Sequence, residues 1–385
     1  MNRLEEAPGS WRHALAQLAA RNLRPAKYVA GTAPLLRGAT NADTVQNLFL
    51  AASLPAFAIG AWASGARVAT AAAASEGARG HWQWGLAAAL DLTGADVHWL
   101  GQLALGLACI APALLVAAAV TAFWELAFAV SRQRRVDAGW PMLTWLFVLL
   151  LPVTTPLYMV ALGATFAVVI GKHIFGGTGR YIVSPALLGV VFLSYAYSSE
   201  VVMPASAGMP SWSLVAAGAI EISSATGTWL AALLGRESGT IGTPSALACL
   251  LGAAYLAQRG AISARTVGGA VLGLIATAAL FAWLGDTAVA QLGWHWHLSL
   301  GSFGFAVAFV ATDPTTMPLT RTGRWVYGAL IGILTVTIRV ANPAHPEGSL
   351  TAVLLAGLCV PLIDAAVMRV KLRARRARAA EIARG

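Results

Sequence analysis

Residues 101–135 read GQLALGLACIAPALLVAAAVTAFWELAFAVSRQRR, an apolar run broken by one acidic side chain, Glu125, and closed by Arg132, Arg134 and Arg135. A helix needs about 20 apolar residues to cross the hydrocarbon of a bilayer, so this run spans a membrane. Its basic end gives it a direction, because Lys and Arg gather on the cytoplasmic side of membrane chains. Glu125 lies inside the run, close to that end. An ionisable group there is costly to bury and reads as functional, on an ion pathway; the plainer alternative is a carboxylate paired with Arg132.

The rest of the chain repeats this pattern. Hydrophobic residues make up 58% and charged residues 11%, against about 25% charged in a soluble domain. Ten apolar segments are read at 46–65, 101–130, 139–154, 156–171, 185–199, 243–257, 266–285, 298–312, 325–340 and 349–368. The fold class is therefore an all-α polytopic membrane protein of about ten transmembrane helices, some of them broken. Pro141, Pro152 and Pro156, the run Gly176-Gly177-Thr178-Gly179, and Asp313-Pro314 with Pro318 mark the breaks. Irregular backbone survives in a bilayer only where protein or a polar cavity covers it. Paired breaks suit two inverted repeats with a site near the midplane, although no repeat is visible in the sequence.

With both termini cytoplasmic, 22 of the 26 Lys and Arg residues fall inside, leaving Arg67, Arg79, Arg236 and Arg339 outside. This asymmetry divides the chain into a cytoplasmic arm (1–45), a membrane domain (46–368) with an external loop at 200–242, and a basic cytoplasmic tail (369–385). Basic residues spread in this way set topology and leave no nucleic-acid footprint. Cys109, Cys249 and Cys359 sit in three separate apolar segments, with no metal-ligand spacing and no disulfide expected.

Other polar residues stand out against this apolar background. Asp364, in PLIDAAV near the end of the last span, needs a partner, with Arg369 one candidate and an ion pathway the other reading. Asp286, at an external helix end, is a candidate cation exit. Asp313 is surrounded by Thr312, Thr315, Thr316 and Thr320, a set suited to freed backbone groups, a flavin or an ion. Gly176 and Gly177 look like a phosphate cradle, yet no strand precedes them and no Walker lysine follows; a tight turn is the plainer reading. His295 and His297 alternate with Trp294 and Trp296 as in an interfacial aromatic belt. Ser223-Ser224-Ala225-Thr226 lies in the external loop.

Several longer blocks are more specific: KHIFGGTGRYIVSP (172–185), ESGTIGTPSALACLL (237–251), WHWHLSLGSFGFAVAFVATDP (294–314), GRWVYGALIG (323–332) and IRVANPAHPEG (338–348). Together they resemble the B subunit of sodium-translocating NADH:quinone reductase and, more distantly, the D subunit of the Rnf complex. The resemblance runs from about residue 30 to 370. It implies a bacterial inner-membrane subunit of an oxidoreductase, not catalytic alone, that carries electrons through FMN toward quinone and couples this to sodium translocation. In that family a flavin transferase joins FMN through its phosphate to the threonine of an S/T-G-A-T motif, and Thr226 is the matching residue. Ser223 and Ser224 flank it, and the external position of the loop agrees with a transferase acting outside the cytoplasm. A second flavin such as riboflavin, quinone as substrate, and the other pump subunits as partners are further expectations. No dinucleotide fingerprint is found, so NADH oxidation belongs to another subunit.

The chain departs from the family pattern in several places, the usual upstream acidic residue being represented at best by Glu221, with Gly227-Thr228 after the acceptor. Ser224 replaces the motif glycine, Ser184 stands where Asn usually precedes Pro185, and Thr121-Ala122 replace a glycine pair associated with quinone binding. A cofactor-free channel or transporter, or a membrane anchor, on the same scaffold is the alternative reading.

Overall fold

Apolar runs of full membrane length become long helices, even across Pro55, Pro112 and Pro361, and shorter runs bounded by proline or glycine become short ones. The computed structural model describes residues 42–74, 82–94, 96–133, 136, 139–197, 226–235, 239–285, 287, 289–342 and 348–382. Its helices are α1 (Ala42–Ala74), α2 (Trp82–Ala89), α3 (Trp99–Ser131), α4 (Trp140–Leu149), α5 (Leu157–Val168), α6 (Pro185–Ala196), α7 (Thr226–Leu234), α8 (Ala246–Gln258), α9 (Ala264–Leu284), α10 (Trp294–Ser299), α11 (Phe303–Phe305), α12 (Arg321–Ala341) and α13 (Ser349–Ile382). No strand occurs among the described residues. Helices α1, α3, α9, α12 and α13 are long and apolar enough to cross a membrane, and the shorter α4, α5, α6 and α8 are apolar too. The chain is a multi-pass membrane protein. The arm up to residue 41, most of the loop 200–242, Asp286, Arg134 and Arg135 lie outside the described residues.

Packing between the long helices depends on glycine. Helices α9 and α12 run parallel, with Gly269 and Gly273 of one against Gly328 and Gly332 of the other. Each pair is four residues apart and so lies on one helix face. A methyl group at Gly328 would run into the carbonyl of Thr266, and one at Gly332 into that of Ala270. In a membrane, where water does not drive helices together, such close backbone approach supplies the dispersion contact. Helices α1 and α3 use the same device antiparallel, through Gly65 and Gly106.

The broken segments lie inside the protein, as the cost of unpaired backbone requires. Residues 150–155, between α4 and α5, and residues 239–245, before α8, are all buried. These two breaks satisfy each other: the amide of Ile241 donates to Leu151 O at 2.9 Å and that of Gly242 to Leu149 O at 2.7 Å. Side chains cap several other carbonyls of the breaks. Gln83 of α2 donates to Val153 O at 2.9 Å. Arg67 of α1 donates to Gly239 O. Arg339 of α12, 1% exposed, donates to His297 O at 2.6 Å and Leu300 O at 2.9 Å, bridging the break between α10 and α11. Arg67 and Arg339 are two of the four residues that ran against the charge asymmetry. Their role as carbonyl caps explains the exception.

Two five-residue π-helical turns, Val169–His173 after α5 and Ala306–Val310 after α11, each lead into an irregular loop, 174–184 and 311–320 respectively. Both loops lie at the basic end of the molecule, the end that carries Arg132, Lys172, Arg321 and Arg324. Wide turns of this kind often mark functional sites.

Candidate functional site at the basic end

The π-turn after α5 aims Lys172 and His173 at the last turns of α3. Lys172 Nζ forms a buried ion pair with Glu125 Oε1, and each side chain is 1% exposed. His173 Nε2 lies 3.5 Å from Glu125 Oε2, near enough to feel the charge but without a formed hydrogen bond. The imidazole stacks on Phe128 with ring centres 4.2 Å apart. Arg132 donates to the backbone carbonyl of His173 at 2.9 Å and lies 4.9 Å from the centre of the Phe128 ring. The partner of Glu125 is thus Lys172, and Arg132 braces the turn that supplies it. One helical turn earlier, Thr121 Oγ1 and Thr144 Oγ1 are 2.7 Å apart and join α3 to α4.

Beside this pair is a cavity of about 300 Å³. Its polar lining residues are Gln46, Lys172, Thr178, Tyr181, Ser184, Asp313 and Thr315, and Met142, Leu143, Leu146 and Pro185 are among the apolar ones. The two loops are therefore parts of one site, a link that spacing along the chain did not suggest. Asp313 is buried, and its Oδ1 accepts from the Thr315 amide at 2.9 Å and the Thr315 hydroxyl at 2.7 Å; the Tyr181 hydroxyl also donates to its carboxylate.

Gly176 and Gly177 do not line the cavity. Their amides close the chain's own turn, donating to His173 O at 3.2 Å and Lys172 O at 3.1 Å. Backbone φ values of 106° and 102° at these positions favour glycine strongly. The pair forms a tight turn whose donors are already used, and the phosphate-cradle reading gives way to it. Thr178, the next residue, is the one that faces the cavity.

Asp364, on α13, holds the second loop. Its carboxylate accepts from Leu319 N at 2.8 Å, Thr320 N at 3.1 Å and Thr320 Oγ1 at 2.6 Å. Thr320 in turn accepts from Gly323 N at 3.1 Å and caps α12. The hydrogen bonds of Asp364 go to this helix start and not to Arg369.

At the opposite end, Thr226 is the first described residue of α7; Ser223 and Ser224 lie outside the described residues, as does Asp286. Three residues along α7, Trp229 donates from Nε1 to His295 O at 3.1 Å and meets the His295 ring edge-on at 5.6 Å. This contact docks α7 onto α10. The candidate flavin acceptor and the basic-end cavity are thus separate regions of the chain.

Sequence reasoning counted Lys172 only as a topology charge and did not single out Tyr181 or His173. The signal that flagged Glu125, an ionisable group at the end of an apolar run, applies equally to Lys172 in VVIGKHIF (168–175). Tyr181 had no such signal, because an aromatic residue at a membrane boundary is unremarkable.

Comparison with known proteins adds an independent line. Residues 29–373 match the model of the NQR2, RnfD, RnfE family. The chain is 40% identical over 315 residues to the B subunit of the Na(+)-translocating NADH-quinone reductase of Yersinia pestis, covering 78% of this chain and 76% of that protein. It is 37% identical over 369 residues to the Azotobacter vinelandii protein of the same name, covering 92% and 91%. Against the Pseudomonas paraeruginosa protein the identity is 41% over 313 residues, covering 78% and 77%.

Proposed function

The chain belongs to the NQR2, RnfD, RnfE family, and from that premise we propose that it is the membrane flavoprotein subunit of a redox-driven sodium pump. It carries electrons through FMN, held as a phosphoester on Thr226, toward quinone, within a multi-subunit NADH:quinone oxidoreductase. The supporting observations are the names of its relatives and a polar-and-apolar cavity beside a buried carboxylate. The first of these carries the reading, because the likeness to those subunits covers most of the chain.

Each part of the site has a task in this reading. Glu125 takes up the cation at the basic end, which the charge asymmetry makes cytoplasmic, and Asp364 and Asp286 are further carboxylates along the route. A hard cation such as sodium prefers carboxylate and carbonyl oxygens. The cavity of about 300 Å³ suits a flat ring, either a quinone head or a second flavin such as riboflavin. Met142, Leu143 and Leu146 would cover the ring face, while Tyr181, Thr178 and Gln46 would orient its polar edge. A bound flavin supplies electron transfer, and the protein supplies position and electrostatics. A flavin transferase and the remaining pump subunits are the partners, in the inner membrane of a bacterium, with both termini cytoplasmic.

The test is ultraviolet fluorescence of the full chain in a denaturing gel, after co-expression with a flavin transferase. A fluorescent band that disappears in Thr226→Ala is the expected result. A dark wild-type band, with the transferase active on a control acceptor, would overturn the covalent flavin. A cofactor-free transporter or anchor would then be the better reading.

A further inference from the structure

We propose that Lys172 is a displaceable counter-ion that competes with the transported cation for Glu125 and, when it leaves, turns toward Asp313 across the cavity. The proposal rests on the reading that Glu125 lies on the cation path, and its test is arranged to separate the two.

Three observations lead to it. Glu125 and Lys172 are both 1% exposed and paired directly, so a sodium ion reaching Glu125 meets an ammonium already on the carboxylate. One compact carboxylate in a low-dielectric site does not hold two cations closely, so the two exchange. Lys172 also belongs to a π-turn followed by Gly176 and Gly177, and its flexible four-carbon stem allows the head group to move while the backbone stays in place. Lastly, Lys172 lines the same cavity as Asp313, a second buried carboxylate. That carboxylate is the destination the proposal assigns to the ammonium, where pairing would lower the cost of leaving Glu125.

The arrangement links the two functions of the site. Negative charge arriving in the cavity draws Lys172 toward it and frees Glu125 for sodium. A cation on Glu125 repels Lys172 toward the cavity and favours an anionic occupant there. By linkage the two effects are equal in free energy.

The test is equilibrium binding of radiolabelled sodium to the full-length chain in detergent, with choline chloride holding ionic strength constant. Lys172→Gln is expected to tighten sodium binding about tenfold or more, since a competing buried charge is gone. Lys172→Arg, which keeps the charge and can grip the carboxylate with two donors, is expected to weaken it several-fold. Asp313→Asn, which removes the destination, is expected to weaken it as well. Sodium affinity equal to wild type in Lys172→Gln, or in Lys172→Arg if the glutamine variant does not fold, overturns the proposal. Wild-type affinity in Asp313→Asn overturns the role given to that residue. If Glu125→Gln binds sodium as wild type does, the cation path itself is wrong and the proposal falls with it. If Glu125→Gln abolishes binding while Lys172→Arg changes nothing, the path stands and only the counter-ion role is lost.

Discussion

The loop 174–184 is anchored by charges taken out of water, whereas the loop 311–320 is anchored by hydrogen bonds at its rim. Lys172, at the root of the first, is buried against Glu125. The second is held by Asp364, a partly exposed carboxylate on Leu319 and Thr320. Both loops reach the same cavity, so the same positioning is achieved in two ways at very different cost. Desolvating an ion pair costs several kcal/mol per ion before attraction repays it, while a rim carboxylate accepting amide hydrogen bonds keeps much of its hydration. An anchor that costs more than its mechanical task requires points to a second use, which the proposed cation path would supply.

The largest effect should come from breaking the costly anchor on one side only. Glu125→Ala leaves Lys172 without its carboxylate and should cost about 3–5 kcal/mol. Thermal unfolding of the detergent-solubilised chain would register this as a clear fall in Tm. Glu125→Gln together with Lys172→Gln should recover most of the loss, and failure to recover would mean that the pair is not the principal anchor. Gly328→Leu tests the scaffold behind the second loop. Its side chain would enter the space of the Thr266 carbonyl and separate α12 from α9, for about 1–3 kcal/mol by overpacking. Faster proteolysis near residues 311–320 than near 174–184 should accompany it, because α12 positions only the second loop.

Gly177→Ala strains the first loop without touching the ion pair. At φ 102° a Cβ should cost about 1–3 kcal/mol, seen as a lower urea midpoint with an unchanged slope. Asp364→Ala should have the smallest effect, about 1 kcal/mol for partly exposed hydrogen bonds. Combined with Thr320→Ala it should be less than additive, since the two residues share a hydrogen bond at 2.6 Å. Full additivity would mean that the clamp does not hold the loop.

Much of this was legible in the sequence. The apolar runs gave the spanning helices, the prolines gave the breaks around α4 and before α12, and the ionisable residues within apolar runs led to Glu125, Asp313 and Asp364. What could not be read was which partner each would meet. Glu125 pairs with a residue 47 positions away, supplied by a segment that turns back on itself, whereas Arg132 was the nearer candidate. Asp364 meets a helix start 44 positions earlier. In each case local spacing points to a neighbour on the same helix, and re-entrant packing replaces it with a distant group. Gly176 and Gly177 were ambiguous for another reason: glycine permits both an open anion cradle and a closed turn, and only the direction of the amides separates them.

The arginine caps bear on how the chain is made. Arg67 belongs to the first long helix, yet the carbonyl that receives one of its hydrogen bonds, that of Gly239, comes 172 residues later. At roughly 5–20 residues per second, the ribosome needs on the order of ten seconds or more to supply it. During that interval the local groups Ala63 O and Ser64 Oγ are already there to take the other hydrogen bonds of Arg67. This one cap on α1 is therefore completed only when the second half of the chain has been synthesised. A nascent chain stalled before residue 239 should have α1 packed on α3 through Gly65 and Gly106 but lack the arginine cap on Gly239 O.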